Sequence, residues 1–216
     1  MSKALLEYLE GFITSARKER IQEILLGRTK HFTVVIEDVY QLHNTSAVIR
    51  SCDAFGIQQA HVIEEQYGKR LDKNIAMGSQ KWVDVYCYAN TQDCIGAIKA
   101  QGYQIIATTP HNNACMLEDF AIDKKSALFF GTEKSGLTPA IMQQADGYLK
   151  IPMHGFAESL NISVSVAIIL QHLCARLRKS NIEWQLTDGE MLEKRIDWSK
   201  KSIRSIEDVL KRYNNG

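Results

Sequence analysis

Ile151-Pro152-Met153-His154-Gly155-Phe156-Ala157-Glu158-Ser159-Leu160-Asn161-Ile162-Ser163-Val164-Ser165-Val166-Ala167 is the stretch of this 216-residue chain whose reading decides its fold. A short loop runs directly into a helix carrying Leu160, Ile162, Val164, Val166, Ala167, Ile168, Ile169 and Leu170. Such a helix is apolar on every side and predicts burial. Yet it opens with Ser159, Asn161, Ser163 and Ser165. Buried polar groups cost roughly 1 to 3 kcal/mol each when unpaired, so partners are required. Ser159 as N-cap accounts for one of the four. Asn161 and Ser165, spaced i, i+4 on one face, call for something besides capping.

Two other segments point to the same place. Asn44-Thr45-Ser46-Ala47-Val48-Ile49-Arg50 follows the strand-like Thr33-Val34-Val35-Ile36. Phe129-Phe130-Gly131-Thr132-Glu133-Lys134-Ser135-Gly136-Leu137 follows Ala127-Leu128. In order and spacing the three segments resemble the signature motifs of the SpoU branch of the SPOUT RNA methyltransferases. The resemblance rests on Asn44 and Arg50 six apart, on Gly131-x-Glu133-x-x-Gly136, and on Pro152 followed by Ser159-Leu160-Asn161. It covers roughly residues 31 to 174. The flanks narrow it: a helical N-terminal arm, the segment Met77-Gly78-Ser79-Gln80-Lys81-Trp82 and a charged helical tail are similar to the branch that methylates guanosine 18 of tRNA.

Composition agrees with one sizeable core plus appendages: 45% of the residues are hydrophobic and 24% charged. No run of about 18 apolar residues occurs, and Met1-Ser2-Lys3 leads into a helix bearing Glu7 and Glu10. Neither a membrane span nor a signal peptide is expected, and the expected location is the cytoplasm. Cys52, Cys87, Cys94, Cys115 and Cys174 are odd in number and widely spaced, without a Cys-x-x-Cys pair. They read as reduced packing residues. His31, His43, His61, His111, His154 and His172 show no metal-ligand spacing, so no metal is expected.

The net charge of +1 is unevenly spread. Residues 1–30 carry six Lys/Arg against four Glu, residues 31–174 ten against fourteen acids, and residues 175–216 ten against seven. Phosphate affinity depends on where positive charge sits, so a balanced total leaves a polyanionic partner open. Arg17, Lys18, Arg20, Arg28 and Lys30 at one end, with Arg176 and Arg178 beyond the core, are candidate RNA contacts. The competing reading of such a run is a solvated helix face.

Helical periodicity through Leu5, Leu6, Leu9, Phe12, Ile13, Ala16, Ile21, Ile24 and Leu25 predicts an amphipathic arm over residues 1–28, broken near Gly11 or Ser15. From Thr33 the pattern alternates. β-rich runs at Thr33–Glu37, Ala60–Glu64, Val83–Tyr88, Gln104–Thr108, Ala127–Gly131 and Tyr148–Ile151 interleave with helical windows at 44–55, 91–101, 138–145 and 160–178. That rhythm predicts an α/β domain with a mainly parallel sheet. After Ser180 a sparse stripe of Leu192, Ile196, Ile203, Ile206, Val209 and Leu210 packs either on the core or on a partner. The domains expected are an RNA-binding arm (1–30), a methyltransferase domain (31–178) and a helical extension (179–216).

Topology rules on their own favour an unknotted doubly wound sheet. The resemblance implies otherwise: a deep C-terminal trefoil knot, with S-adenosyl-methionine bound in the knot loops. No Gly-x-Gly-x-x-Gly follows the first strand and no Walker loop occurs, in agreement with a pocket unlike the Rossmann type. By family correspondence Thr109, Gly131, Ile151, Met153 and Leu160 bind the cofactor. Arg50 matches the arginine the family treats as catalytic. A guanidinium does not readily lose its proton, so the better-grounded role is bidentate pairing with the phosphate beside the target ribose. Asn44 orients substrate or closes its motif loop; Glu133 orients Arg50 or binds the methionyl ammonium; Ser159 and Asn161 complete the helix-start cluster.

The resemblance implies 2'-O-methylation of tRNA at guanosine 18 by a homodimer paired through the knot region. A 2'-O-methyltransferase for rRNA or for the tRNA wobble nucleotide is the alternative within the class. A non-catalytic RNA-binding protein on a retained knot fold is the alternative outside it.

Overall fold

A computed structural model describes residues 3–38, 42–65, 78–110, 114–132 and 135–215. The chain divides into two units, one of residues 30–184 and one assembled from both ends, residues 1–29 and 185–216.

The larger unit is built on seven strands: β1 (Phe32–Glu37), β2 (Gln59–Ile63), β3 (Asp84–Tyr88), β4 (Gln104–Thr108), β5 (Cys115–Met116), β6 (Ser126–Phe130) and β7 (Gly147–Lys150). They form one sheet in the order β3-β2-β1-β6-β4-β7-β5, and every pairing is parallel. Among the described residues four α-helices accompany them: α3 (Leu42–Phe55), α4 (Thr91–Ala100), α5 (Pro139–Gln144) and α6 (Ile162–Arg178).

Parallel strands covered on both faces read as continuous apolar runs. β1 and β6 are buried along their whole length. Alternation then assigns their side chains to two cores. Phe32, Val34, Ile36, Leu128 and Phe130 join Val48, Ile49 and Cys52 of α3 and Val166, Ile169, Leu170 and Leu173 of α6. On the opposite face Val35, Ala127 and Phe129 join Cys94, Ile95 and Ile98 of α4 and Ile141 of α5.

The terminal unit contains α1 (Lys3–Glu10), α2 (Ser15–Leu26), α7 (Asp188–Ser202) and α8 (Ile206–Asn215). Thr14 caps α2, so the break anticipated near Gly11 or Ser15 falls between α1 and this cap. Leu6 and Leu9 of α1 bury against Ile196 and Val209, with Leu192, Ile203, Ile206 and Leu210 packed around them. The stripe left open by periodicity thus faces the N-terminal helix. The segments expected as separate extensions, 1–30 and 179–216, contribute to a single core, because each amphipathic face is too small to bury itself alone. Glu10 ties the helices together, accepting from Lys18 Nζ at 2.7 Å and from Arg195 Nη2 at 2.6 Å. Burial alone would raise its pKa, but the hydrogen bonds and charges of Lys18 and Arg195 hold it below the ordinary carboxylate value.

Among the described residues no helix is long and apolar enough to cross a membrane, and no group of three His, Cys, Asp or Glu could hold a metal ion. Cys52, Cys94 and Cys174 are buried; burial pushes the Cys94 thiol up to about 12 and the Cys174 thiol up to about 11. Cys87 and Cys115 are exposed, on strands at the two ends of the sheet, and do not share the packing role expected of all five.

Candidate active site

In open parallel sheets, ligands bind beyond the carboxyl ends of the strands. The larger unit has a cavity of about 840 Å³ at that edge. Its walls include Thr108 and Thr109 at the end of β4, Gly131 and Thr132 after β6, and Ile151 after β7, three strands adjacent in the sheet. Met153, Gly155, Ala157 to Leu160 and the first turns of α6, through Ile162, Ser165 and Ile169, form another part of them. All five residues assigned to the cofactor, Thr109, Gly131, Ile151, Met153 and Leu160, line this one cavity. Ser165 lines it too, so its polarity serves the cavity rather than the core.

The loop after β6 turns back on itself. Thr132 N donates to Gly136 O at 3.1 Å, Gly136 N returns a bond to Thr132 O at 3.0 Å, and the hydroxyls of Thr132 and Ser135 lie 2.7 Å apart. Gly131 is enforced by this closure: a Cβ there would stand 2.1 Å from the carbonyl carbon of Gly136 and 2.3 Å from Leu137 N. The requirement is therefore the loop's own backbone, not only close approach of a ligand. Glu133 lies outside the described residues, as do Met77 and His111.

The N-cap of α6 is Asn161, not Ser159. Asn161 Oδ1 accepts from Ser163 N at 2.9 Å and from Ser163 Oγ at 2.6 Å, while Nδ2 donates to Asn44 Oδ1 at 3.3 Å. An asparagine supplies both halves because its amide carries an acceptor and a donor. Ser159 stays on the cavity wall. The helix is also less enclosed than its composition suggests: Val164 and Ile168 are exposed, one turn apart, and Phe156 before it is fully exposed.

Asn44 is buried in the first turn of α3, and Arg50, six residues on, is exposed. Helices α3 and α6 pack on each other, so the first and third motifs meet through their helices and through the Asn44–Asn161 bond.

The basic residues singled out for RNA differ in their surroundings. Arg17 and Arg20 are exposed on α2, Arg20 paired with Glu23 at 2.7 Å. Lys18 is engaged by Glu10. Arg28 is 1% exposed and lies over the Trp198 ring at 5.2 Å, so its guanidinium is a packing group out of a phosphate's reach. Arg176 Nη1 donates to Leu117 O at 3.3 Å, and Arg178 Nη2 to Phe55 O at 2.7 Å.

Sequence reasoning passed over several cavity residues, among them Thr132, Ser135, Leu137, Met142 and Ile169. Thr132, Ser135 and Leu137 belong to the middle motif's loop, whereas nothing in local pattern marks Met142 or Ile169, which read as ordinary helix positions.

The family model described as the SpoU rRNA Methylase family matches residues 31–171. The chain belongs to that family. The tRNA (guanosine(18)-2'-O)-methyltransferase of Borreliella burgdorferi is 38% identical over 201 residues, covering 93% of this chain and 92% of that protein. The TrmH/SpoU tRNA modifying enzyme of A. aeolicus superposes with a TM-score of 0.76 at 30% identity, over 87% of this chain and 97% of that one. The SpoU methyltransferase AviRb from Streptomyces viridochromogenes, solved in complex with the cofactor AdoMet, shares the fold at a TM-score of 0.62 and 24% identity, over 74% of this chain and 62% of that one. SpoU membership accounts for the three motifs occurring in one order, the second and third lining the cavity and the first tied to the third through the Asn44–Asn161 bond.

Proposed function

We propose that this protein transfers a methyl group from S-adenosyl-methionine to the ribose 2'-hydroxyl of guanosine 18 in tRNA, working in the cytoplasm as a homodimer. The observation that carries the reading is the cavity at the strand ends. The relative from Borreliella burgdorferi, matched over 93% of the chain, favours guanosine 18 over an rRNA or wobble-position target.

The cavity suits an adenosyl group. Its volume lies within the range of small-molecule sites, and Leu137, Leu149, Ile151, Leu160 and Ile169 present apolar surface beside the hydroxyls of Thr109, Ser135, Ser159 and Ser165. Thr109, Gly131, Ile151, Met153 and Leu160 would hold the cofactor, which when bound supplies an electrophilic methyl.

The chain's own residues do the rest. Arg50 pairs with the phosphate next to the target ribose through its planar fork, positions the 2'-hydroxyl and stabilises the alkoxide character that develops there. Asn44, fixed by Asn161, anchors the start of the helix that carries Arg50. Glu133 orients Arg50 or receives the methionyl ammonium. Ser159 stands on the cavity wall, where its hydroxyl serves as a polar contact. Arg17 and Arg20 of the terminal unit, and Arg178 of the sheet unit, are the exposed cations assigned to tRNA phosphates. We further assign the trefoil knot to the C-terminal part of the sheet unit, on the strength of the motif resemblance. The dimer interface we assign to the apolar surface around Val164 and Ile168.

Labelled methyl transfer tests the reading. A tRNA transcript should accept label, and one carrying 2'-deoxyguanosine at position 18 should not. Equal labelling of both would remove the ribose of guanosine 18 as the target.

A further inference from the structure

Glu37 closes β1 at 2% exposure, a carboxylate at the end of a fully buried strand whose other residues are apolar except Thr33. A buried carboxylate is costly unless hydrogen bonds satisfy it. Among the described residues its partners are neutral. Thr138 N donates to Oε2 at 2.8 Å, Thr138 Oγ1 donates to Oε1 at 2.7 Å, and Thr91 Oγ1 lies 3.3 Å from Oε1. Thr91 Oγ1 has a shorter contact of 2.8 Å with Glu65 Oε2, and one hydroxyl proton serves one acceptor well. The strong bonds to Glu37 therefore both come from Thr138.

Thr138 is the N-cap residue of α5, yet it makes no side-chain bond to that helix. A capping threonine ordinarily satisfies an orphan N–H of its own first turn. Here the hydroxyl is turned to Glu37 instead, and the backbone N–H of the same residue is held too. The residues just before it are Gly136, at φ 67°, and Leu137, both on the cavity wall. Leu137 also packs on the core face of Phe129 and Ile141.

We infer that Glu37 is a positioning residue for the cofactor: by clamping Thr138 it sets the Gly136–Leu137 wall of the cavity. This deepens the methyltransferase reading and rests on it. The first strand thereby holds the end of the middle motif's loop through a side chain, in addition to its ladder with β6. Glu37 touches no reacting atom, and its effect passes through Thr138.

Calorimetric titration with S-adenosyl-homocysteine, together with steady-state kinetics, tests this on the full chain. Glu37→Ala should weaken cofactor affinity roughly tenfold or more, because two bonds to a charged acceptor vanish, while the KM for tRNA stays at its wild-type value. Thr138→Val should weaken it less, and the double variant no more than Glu37→Ala alone, since both remove one interaction. Glu37→Gln keeps an oxygen for the Thr138 N–H and should recover most of the affinity. Wild-type affinity in folded Glu37→Ala, additive losses in the double variant, or a tRNA KM rising in step with the cofactor KM would each overturn the inference. If Glu37→Ala does not fold, Thr138→Val decides: unchanged affinity there overturns it. Failure of the wild-type protein to bind the cofactor at all would instead overturn the methyltransferase reading beneath it.

Discussion

Asn161 Nδ2 donates to Asn44 Oδ1 across 3.3 Å, joining the first turn of α3 to the cap of α6, two points 117 residues apart in the chain. The two ends of the Asn161 amide do different work: the oxygen starts a helix, and the nitrogen fixes the helix that carries Arg50.

Asn161 variants separate those tasks. Asn161→Asp keeps an oxygen for Ser163 N but places a carboxylate against Asn44 Oδ1. It should melt close to wild type and lose turnover. Asn161→Ala loses the cap as well and should cost a further stability of about 1 kcal/mol in denaturant titration. Full activity in Asn161→Asp would show that the Asn44 contact is incidental.

Arg50 should matter for chemistry and little for the cofactor. Arg50→Ala is expected to lower turnover by about a hundredfold or more with cofactor affinity near wild type, because positioning and charge stabilisation disappear together. Arg50→Lys retains charge without the bidentate fork and should stay slow. Near-normal turnover in Arg50→Lys, read from single-turnover rates, would mean that charge alone suffices.

Gly131→Ala places a methyl within 2.1 Å of the Gly136 carbonyl carbon. The loop must open to accept it, so cofactor binding should fall and the thermal midpoint should drop with it. Calorimetry and a thermal melt on the same sample check this; retention of both properties would show that the loop is not closed as described.

His61 gives the sheet a pH dependence of known sign. Fully buried on β2 and stacked on Tyr86 and Tyr88, it has a pKa pushed down to about 4 by burial. The unfolded chain takes up a proton near 6.5 and the folded one does not until about 4. Stability is thus lost as pH falls from about 6.5 to 4, by about 3 kcal/mol from this group. Urea unfolding across that window should show the slope, and His61→Phe should flatten it. An unchanged slope would assign the acid sensitivity to other groups.

Much of the fold is legible because parallel strands advertise themselves as short apolar runs. Gln104–Thr108 matches its strand residue for residue. Cys115–Met116 is too short for any run to register. At the site, the loops of the second and third motifs read as one pocket because spacing in those segments is unusual for core. The cap of α6 was not, since Ser159 and Asn161 are both good caps and only the backbone turn at Asn161 distinguishes them. Arg28 shows a further limit: a cation in a basic run looks solvated until Trp198, 170 positions later, is found beneath it. The buried role of Glu37 hinges on Thr138, 101 positions later.

Arg17→Ala with Arg20→Ala should weaken tRNA affinity and flatten its dependence on salt, by roughly one unit of log–log slope or less per lost phosphate contact, with turnover at saturating tRNA preserved. Arg28→Ala should instead lower stability, because it uncovers the buried Trp198 ring. Filter binding over a salt series, paired with thermal melts, distinguishes the two.

Mass spectrometry of ribonuclease fragments from unmodified tRNA, incubated with the protein and methyl-labelled S-adenosyl-methionine, decides which atom is methylated. A single labelled methyl is expected, on the ribose of guanosine 18. Label on a base, on another nucleotide, or on no nucleotide while the cofactor is bound would contradict it.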